Sequence, residues 1–224
     1  MKVRWLGHAS FQVVLGGVKF LIDPWLSNPL YTTKPEEFSD VDFIAVTHDH
    51  GDHLGNAIEV LKVAHRAKLV SIYEIAEHVG REVGAGRVIG ANIGGPVRLP
   101  GGIDLILTPA QHSSTRGAPT GVVIKAGDEC LYHAGDTGVF YDMKLIGELY
   151  KPKVALLPIG GHFTMGPREA ALAVDLLRPK YVIPMHYGTF PVLWGTPQEF
   201  EEEVRRRGLE VKVLVLKPGE EVSI

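Results

Sequence analysis

Seven consecutive residues constrain this chain more than any others: Thr47-His48-Asp49-His50-Gly51-Asp52-His53, preceded by the largely apolar run 41–46. That run is short and rich in β-forming residues, so it reads as a buried strand. Residues 54–66 carry apolar side chains at Ile58, Leu61, Val63 and Ala64, the pattern of an amphipathic helix. The motif therefore sits on a strand-to-helix turn, with candidate metal ligands crowded at its centre. His48 and His50 are i and i+2 where the strand runs out, so their rings can face one ion. Gly51 lets the chain turn, which aims Asp52 and His53 at a neighbouring point. Imidazole and carboxylate donors in so dense a cluster suit zinc, manganese or iron, with no thiolate needed.

The pattern His48-x-His50-x-Asp52-His53 after a hydrophobic strand resembles the signature of the metallo-β-lactamase superfamily. Three further stretches narrow the likeness: Gly7-His8-Ala9-Ser10, Asp23-Pro24-Trp25 and the loop 160–166 around His162. They resemble the superfamily's metal-dependent hydrolases, close to ascorbate-6-phosphate lactonase. The resemblance implies an α/β (α+β) fold, a four-layer αβ/βα sandwich with one or two metals at the edge between its sheets. It also implies a His, an Asp and a His later in the chain, and His112, Asp136 and His186 each follow a predicted strand in that order. On the same resemblance His48, His50 and His112 bind one divalent ion and Asp52, His53 and His186 a second, with Asp136 bridging. Zinc is the first expectation; manganese, iron and nickel are alternatives. Metal binding lowers the pKa of water toward ~7, so a bridging hydroxide is the expected nucleophile. Asp52 is expected to orient that nucleophile and carry a proton.

Other residues are assigned more loosely. Asp23 ends a strand, and the resemblance implies that it orients a metal-binding histidine rather than ligates. His8 is expected either to meet substrate or to be a hydrogen-bonded core histidine. His162 is surplus to the seven metal positions and is expected to contact substrate or transfer a proton. His133 is read as structural, and Asp49 as a support for the ligands.

The rest of the chain reads as strands over 2–6, 10–15, 18–22, 68–72, 87–92, 97–99, 103–108, 121–126 and 130–133, then βα units. Residues 28–40 read as a loop, 74–79 as a short helix followed by a glycine-rich connection, and 209–216 as the closing strand. Pro167 opens one helix, and Thr196-Pro197-Gln198-Glu199 has the N-cap, first-turn proline and returning glutamate of another. At 224 residues the chain suits a single hydrolase domain over 1–224.

Bulk composition excludes some function classes. A net charge of −3 supplies no basic field for nucleic acid. No apolar stretch has the length to span a bilayer, and no leader pattern is read. The single cysteine, Cys130, allows no intrachain disulfide and fits a reducing, cytoplasmic setting. The expected function is metal-dependent hydrolysis of an ester, lactone or related bond in a small molecule, with no nucleic-acid or membrane partner and homo-oligomerisation left open. A phosphodiesterase acting on a small or nucleotide-like substrate is the enzymatic alternative, and a non-catalytic metal-binding protein the other.

Overall fold

In the computed structural model, which describes residues Met1–Ile224, the chain opens on three antiparallel strands, β1 (Lys2–Trp5), β2 (Phe11–Leu15) and β3 (Val18–Ile22). Gly16 and Gly17 turn the second into the third with φ of 60° and 79°, the positive pair that a two-residue hairpin needs. The stretch expected to be loop instead contains a small ribbon, β4 (Ser27–Asn28) with β5 (Tyr31–Thr32), and a 3-10 turn at Pro35–Phe38. Asn28 organises it. Its side chain donates to the carbonyls of Leu6 and Trp25 and accepts from the backbone N–H of Leu30 and Tyr31. A single asparagine carries no periodic signal, so the sequence does not announce this.

Next come β6 (Phe43–Ala45), α1 (Ala57–Val63), β7 (Lys68–Ile72), α2 (Tyr73–Val83) and β8 (Val88–Ala91), with β3, β6, β7 and β8 parallel. α2 runs on through Gly80, where a connection is expected. A Cβ at Gly80 would come within 3.0 Å of Val88 Cγ2, so the glycine lets the helix lie close on β8.

The second half begins as an antiparallel meander of β9 (Pro96–Leu99), β10 (Ile103–Pro109), β11 (Thr120–Ala126) and β12 (Glu129–His133). Parallel units follow: α3 (Met143–Tyr150), β13 (Val154–Pro158), α4 (Pro167–Leu177), β14 (Tyr181–Met185), α5 (Pro197–Arg206) and β15 (Lys212–Val213). The capping box forms at the start of α5, where the Thr196 hydroxyl accepts from Glu199 N at 3.3 Å and Glu199 Oε2 from Thr196 N at 3.1 Å. The expected closing strand shrinks to the two residues of β15. The last strand is β16 (Glu221–Ser223), which returns to pair with β1 after Gly219 N donates to Trp5 O. Such a pairing spans nearly the whole chain length and has no local signature.

Two seven-stranded sheets result, ordered β16-β1-β2-β3-β6-β7-β8 and β15-β14-β13-β12-β11-β10-β9. Side-chain alternation assigns the faces of the second sheet. Val122, Ile124, Leu131, Leu156 and Ile183 join the core shared with the first sheet, while Val123, Tyr132, Ala155, Leu157 and Val182 pack among α3, α4 and α5. α1 and α2 cover the other face of the first sheet through Val60, Leu61, Ile75 and Val79. This is the four-layer αβ/βα sandwich that the resemblance implies. No helix is long and apolar enough to cross a membrane.

The loops after β3, β6, β10, β12 and β14 gather at one edge of the sandwich, the C-terminal ends of the parallel strands being the usual place for a site in such sheets. Hydrogen bonds stitch the two sheets together there. Thr47 O accepts from Thr120 N and Thr120 Oγ1 at 3.0 and 2.9 Å, His8 O accepts from His186 N at 3.0 Å, and Ala9 O from His133 Nε2 at 2.8 Å.

Leu156 is fully buried between the sheets, whereas Leu149 on α3 is 68% exposed. Leu156→Ala is expected to lower the unfolding free energy by about 2–5 kcal/mol. Leu149→Ala is expected to change it by no more than about 0.5 kcal/mol. Urea midpoints at unchanged slope check both.

Candidate metal centre

The motif turn leaves β6 with Thr47 and His48 buried and His50 and Asp52 half-buried. His53 N and Leu54 N both donate to His50 O, closing the turn over Gly51. His48 Nε2 and His50 Nδ1 end 2.9 Å apart. His112 joins them from the second sheet, and ligand atoms of the three histidines lie within 4.8 Å of one another. A second group with the same spacing comprises Asp52, His53, His186 and also His8.

Asp136 stands between these groups, buried. Its Oδ1 is 3.2 Å from His53 Nε2, and its Oδ2 is 3.0 Å from His186 Nε2 and 3.5 Å from His112 Nε2. The carboxylate thus reaches both sets: Oδ1 faces His53 and Oδ2 faces His186 and, less closely, His112. All seven candidate ligands meet at one edge, four carried by the first sheet and three by the second.

The donor set fits a divalent cation. His53 Nε2 and Asp136 Oδ1, though close, are not aligned as a hydrogen bond, and both are buried without a partner, as are both ring nitrogens of His186. Buried polar atoms are nearly always paired. Of the unpartnered atoms, His53 Nε2, Asp136 Oδ1 and His186 Nε2 gather at Asp136, and a set of imidazole nitrogens and carboxylate oxygen matches the preferences of zinc and its neighbours.

Surrounding residues hold the donors in place. Asp23 Oδ1 accepts from Thr47 N at 2.8 Å, and its Oδ2 accepts from Thr47 Oγ1 and His53 Nδ1, each at 2.7 Å. His53 is therefore held through Nδ1 with Nε2 turned inward, toward Asp136. Ser10 Oγ donates to Asp23 O and accepts from Trp25 N, tying the Gly-His-Ala-Ser turn to the Asp-Pro-Trp turn. Asp49 grips the His112 loop through Ser114 Oγ, Thr115 N and Arg116 Nη1. His133 is structural as expected: Nε2 donates to Ala9 O while Nδ1 accepts from Gly135 N, just before Asp136.

His8 is part of the site. It is buried at φ 53°, with Nε2 at 3.0 Å from Asp52 Oδ2, Nδ1 at 2.7 Å from Thr189 Oγ1 and its ring 3.9 Å from that of His186. A Thr189 hydroxyl donating to Nδ1 leaves the Nε2 proton for Asp52. Thr47, Thr120 and Thr189 carry these contacts without any sequence signal, because threonine is common and its partners lie far away in the chain.

His162 is placed differently from its expectation. It is exposed at φ 61°, stacked edge-on against Phe163, and does not line the cleft above the centre. The left-handed residue turns the loop so that Phe163 faces the cleft instead.

Charge is distributed unevenly. Burial pushes the His48 pKa down to about 3 and that of His8 to about 4, so both stay neutral. Burial also disfavours a charged His53, but the carboxylates of Asp136 and Asp23 outweigh it and raise its pKa well above the ordinary value. For Asp136, burial acts upward while the charge on His53 and the contact with His186 act downward; these win, and the carboxyl stays well below its usual range. Asp52 is likewise lowered, burial being outweighed by the His8 hydrogen bond and the charge on His53.

With this geometry in view, the comparisons agree with one another. The pattern of the beta-lactamase superfamily domain matches residues 19–187. A metal-dependent hydrolase of Hyperthermus butylicus is 55% identical over 222 residues, covering 97% of each chain. The solved structure of a metallo hydrolase from Ignicoccus hospitalis superposes with a TM-score of 0.91 at 47% identity, covering 99% of this chain and 97% of that one. An isothiocyanate hydrolase from Delia radicum gut bacteria shares the fold at 21% identity, TM-score 0.81, covering 100% and 99%.

Asp23→Asn would set an amide N–H₂ against groups that already donate. It is expected to weaken metal binding about 10–100-fold, the usual effect of losing the partner that orients a ligating histidine. Titration against a competing chelator checks this. Ligation needs neutral His53, whose neighbours favour its proton, so metal affinity is expected to rise with pH and loading to release protons. Calorimetry in buffers of different ionisation enthalpy counts them.

Proposed function

The chain belongs to the beta-lactamase superfamily and, within it, to the metal-dependent hydrolases, and on that premise we propose that it cleaves an ester, lactone or related bond of a small molecule at a centre of two divalent ions. The observation that carries this is the convergence of seven His and Asp side chains, several with orphaned buried atoms. Of these, His50, Asp52, His112, Asp136 and His186 line an open cleft of about 640 Å³, and His48 and His53 are buried behind it. His48, His50 and His112 would hold one ion, Asp52, His53 and His186 the other, and Asp136 would bridge them, with Oδ1 against His53 and Oδ2 between His186 and His112. When bound, the ions, zinc first with manganese, iron or nickel as alternatives, supply a hydroxide nucleophile near neutral pH and polarise the bond to be cut.

The chain's own residues do the remaining work. Asp52 lines the cleft as a carboxylate, with Oδ2 fixed by His8, so it is placed to accept a proton from the attacking group and return it to the leaving oxygen. His8, neutral and locked by Thr189, keeps that carboxylate aimed. Half-buried His50 and His112 and exposed Ser113 form the open side of the floor, from which a substrate would enter.

Metal-reconstituted protein is expected to saturate at two ions per chain by elemental analysis, and Asp136→Ala to lower both metal content and rate. Saturation of the wild type at one ion would remove Asp52, His53 and His186 from the proposed second site. A panel of lactones, thioesters, phosphodiesters, amides and isothiocyanates tests the reaction class. Lactones or esters are expected to lead it, and phosphodiesters in front would favour the phosphodiesterase reading.

A further inference from the structure

The cleft has two unlike sides. The floor is polar and belongs to the candidate metal centre; the opposite wall is Trp25, Phe163, Phe190 and Val192. Trp25 and Phe190 stack with ring centroids 5.7 Å apart at 23°, and both meet His8 edge-on, so a buried residue sets their orientation. Phe163 and Val192 are 51% and 45% exposed, large apolar side chains left in solvent at the cleft mouth. Their loops are braced together. The Trp194 indole lies so close over Gly161 and Gly166 that a Cβ at either would come within 2.5–2.7 Å of it. The wall is therefore a fixed surface with its apolar face exposed at the mouth.

The lining contains no lysine or arginine. Arg116, near Ser113 in the chain, is held by Asp49 at 2.8 Å. An anionic group on a substrate, away from the bond being cut, would find no cation and no bidentate partner on this wall. Burying such a charge unpaired is strongly unfavourable. An aromatic or branched apolar substituent would instead gain from leaving water, in a space of the size that usually encloses small ligands.

We propose that Trp25, Phe163, Phe190 and Val192 form a specificity subsite for an uncharged aryl or branched-alkyl substituent of the substrate, one that rejects substrates bearing a second, remote anion. This rests on the hydrolase reading above and names its substrate class. The chemistry at the polar floor is common to many substrates, and the wall selects among them.

The test uses metal-loaded protein and three γ-butyrolactones with the same scissile ring: unsubstituted, phenyl-substituted and 4-carboxyphenyl-substituted. The phenyl lactone is expected to exceed the unsubstituted one at least tenfold in kcat/KM, the range in which hydrophobic pockets discriminate, and the carboxyphenyl lactone to fall at least tenfold below the phenyl. Phe163→Ala and Val192→Ala, both at exposed positions, should each shrink the phenyl preference several-fold, while Leu149→Ala on α3 leaves it as in the wild type. Equal turnover of the phenyl and carboxyphenyl lactones, or an unaltered preference in both cleft variants, would overturn the subsite. So would a change in oligomeric mass on light scattering in those variants, which would make the wall an interface between copies. If no lactone is hydrolysed, the reaction assignment fails rather than the wall. Calorimetry with the corresponding phenyl and carboxyphenyl lactams then decides the subsite by binding alone, and tighter binding of the carboxyphenyl lactam would refute it.

Discussion

The donor atoms of the candidate centre are divided between two sheets, so its geometry depends on how those sheets are joined at one edge. His48, His50, Asp52 and His53 leave the first sheet, and His112, Asp136 and His186 leave the second. The core between the sheets is apolar and non-directional, and by itself would permit small sliding movements. The directional contacts lie at the edge: Thr120 on Thr47 O, His186 N on His8 O and His133 on Ala9 O. Each joins a residue at or beside the site in one sheet to its counterpart in the other. Net contributions of about 0.5–1.5 kcal/mol apiece are modest for stability. Their larger effect is to fix where the two half-sites stand relative to each other. Gly135 shows how close the approach is, since a Cβ there would come within 3.1 Å of Thr47 Cβ in the other sheet.

That closeness brings buried charge together. Asp23 and Asp136 lie on opposite sides of His53, and both carboxyls are kept ionised against burial by the positive histidine. His48 and His8, equally buried, are kept neutral. The site thus sets two carboxylates around a protonated His53, beside neutral His48 and His8, and His53 must give up its proton before it can ligate. Atoms left without hydrogen-bond partners would weaken an ordinary core. Here they face inward on the cleft floor, where a metal-dependent hydrolase needs its donors.

The backbone bears part of the cost. His8, Asp23 and His186 have φ of 53°, 45° and 56°, in the left-handed region that non-glycine residues seldom adopt. Such residues cost of the order of 1–3 kcal/mol each and persist where their surroundings over-determine them. The surroundings do so. His8 O accepts from both Trp5 Nε1 and His186 N, while Asp23 uses both carboxylate oxygens and its backbone carbonyl as acceptors. A turn that reverses within one residue places side chains over the strand ends rather than along them, which is how His8 comes to touch Asp52 and His186.

The histidine and aspartate positions were legible in the chain because their chemistry is local in type: a His-x-His-x-Asp-His turn after an apolar strand, then His112, Asp136 and His186 after strands of their own. The sandwich came with the resemblance those residues carry; the hairpin-rich and βα segments are compatible with it but do not select it. The second layer of the site was only partly legible. Asp23 came with the resemblance and His133 from its place just before the Asp136 turn, but Thr47, Thr120 and Thr189 act through partners that only the fold brings near. The exchange of His162 for Phe163 at the cleft turns on a single left-handed residue, and no spacing encodes it. β16, the Asn28 ribbon and the extension of α2 through Gly80 were likewise invisible, because pairing across 200 residues or one close contact leaves no period. Residue identity therefore determined which atoms could bind metal. The tertiary structure decided which of them meet, what orients them and that an apolar wall stands opposite, because those depend on distances between segments that are remote in the chain.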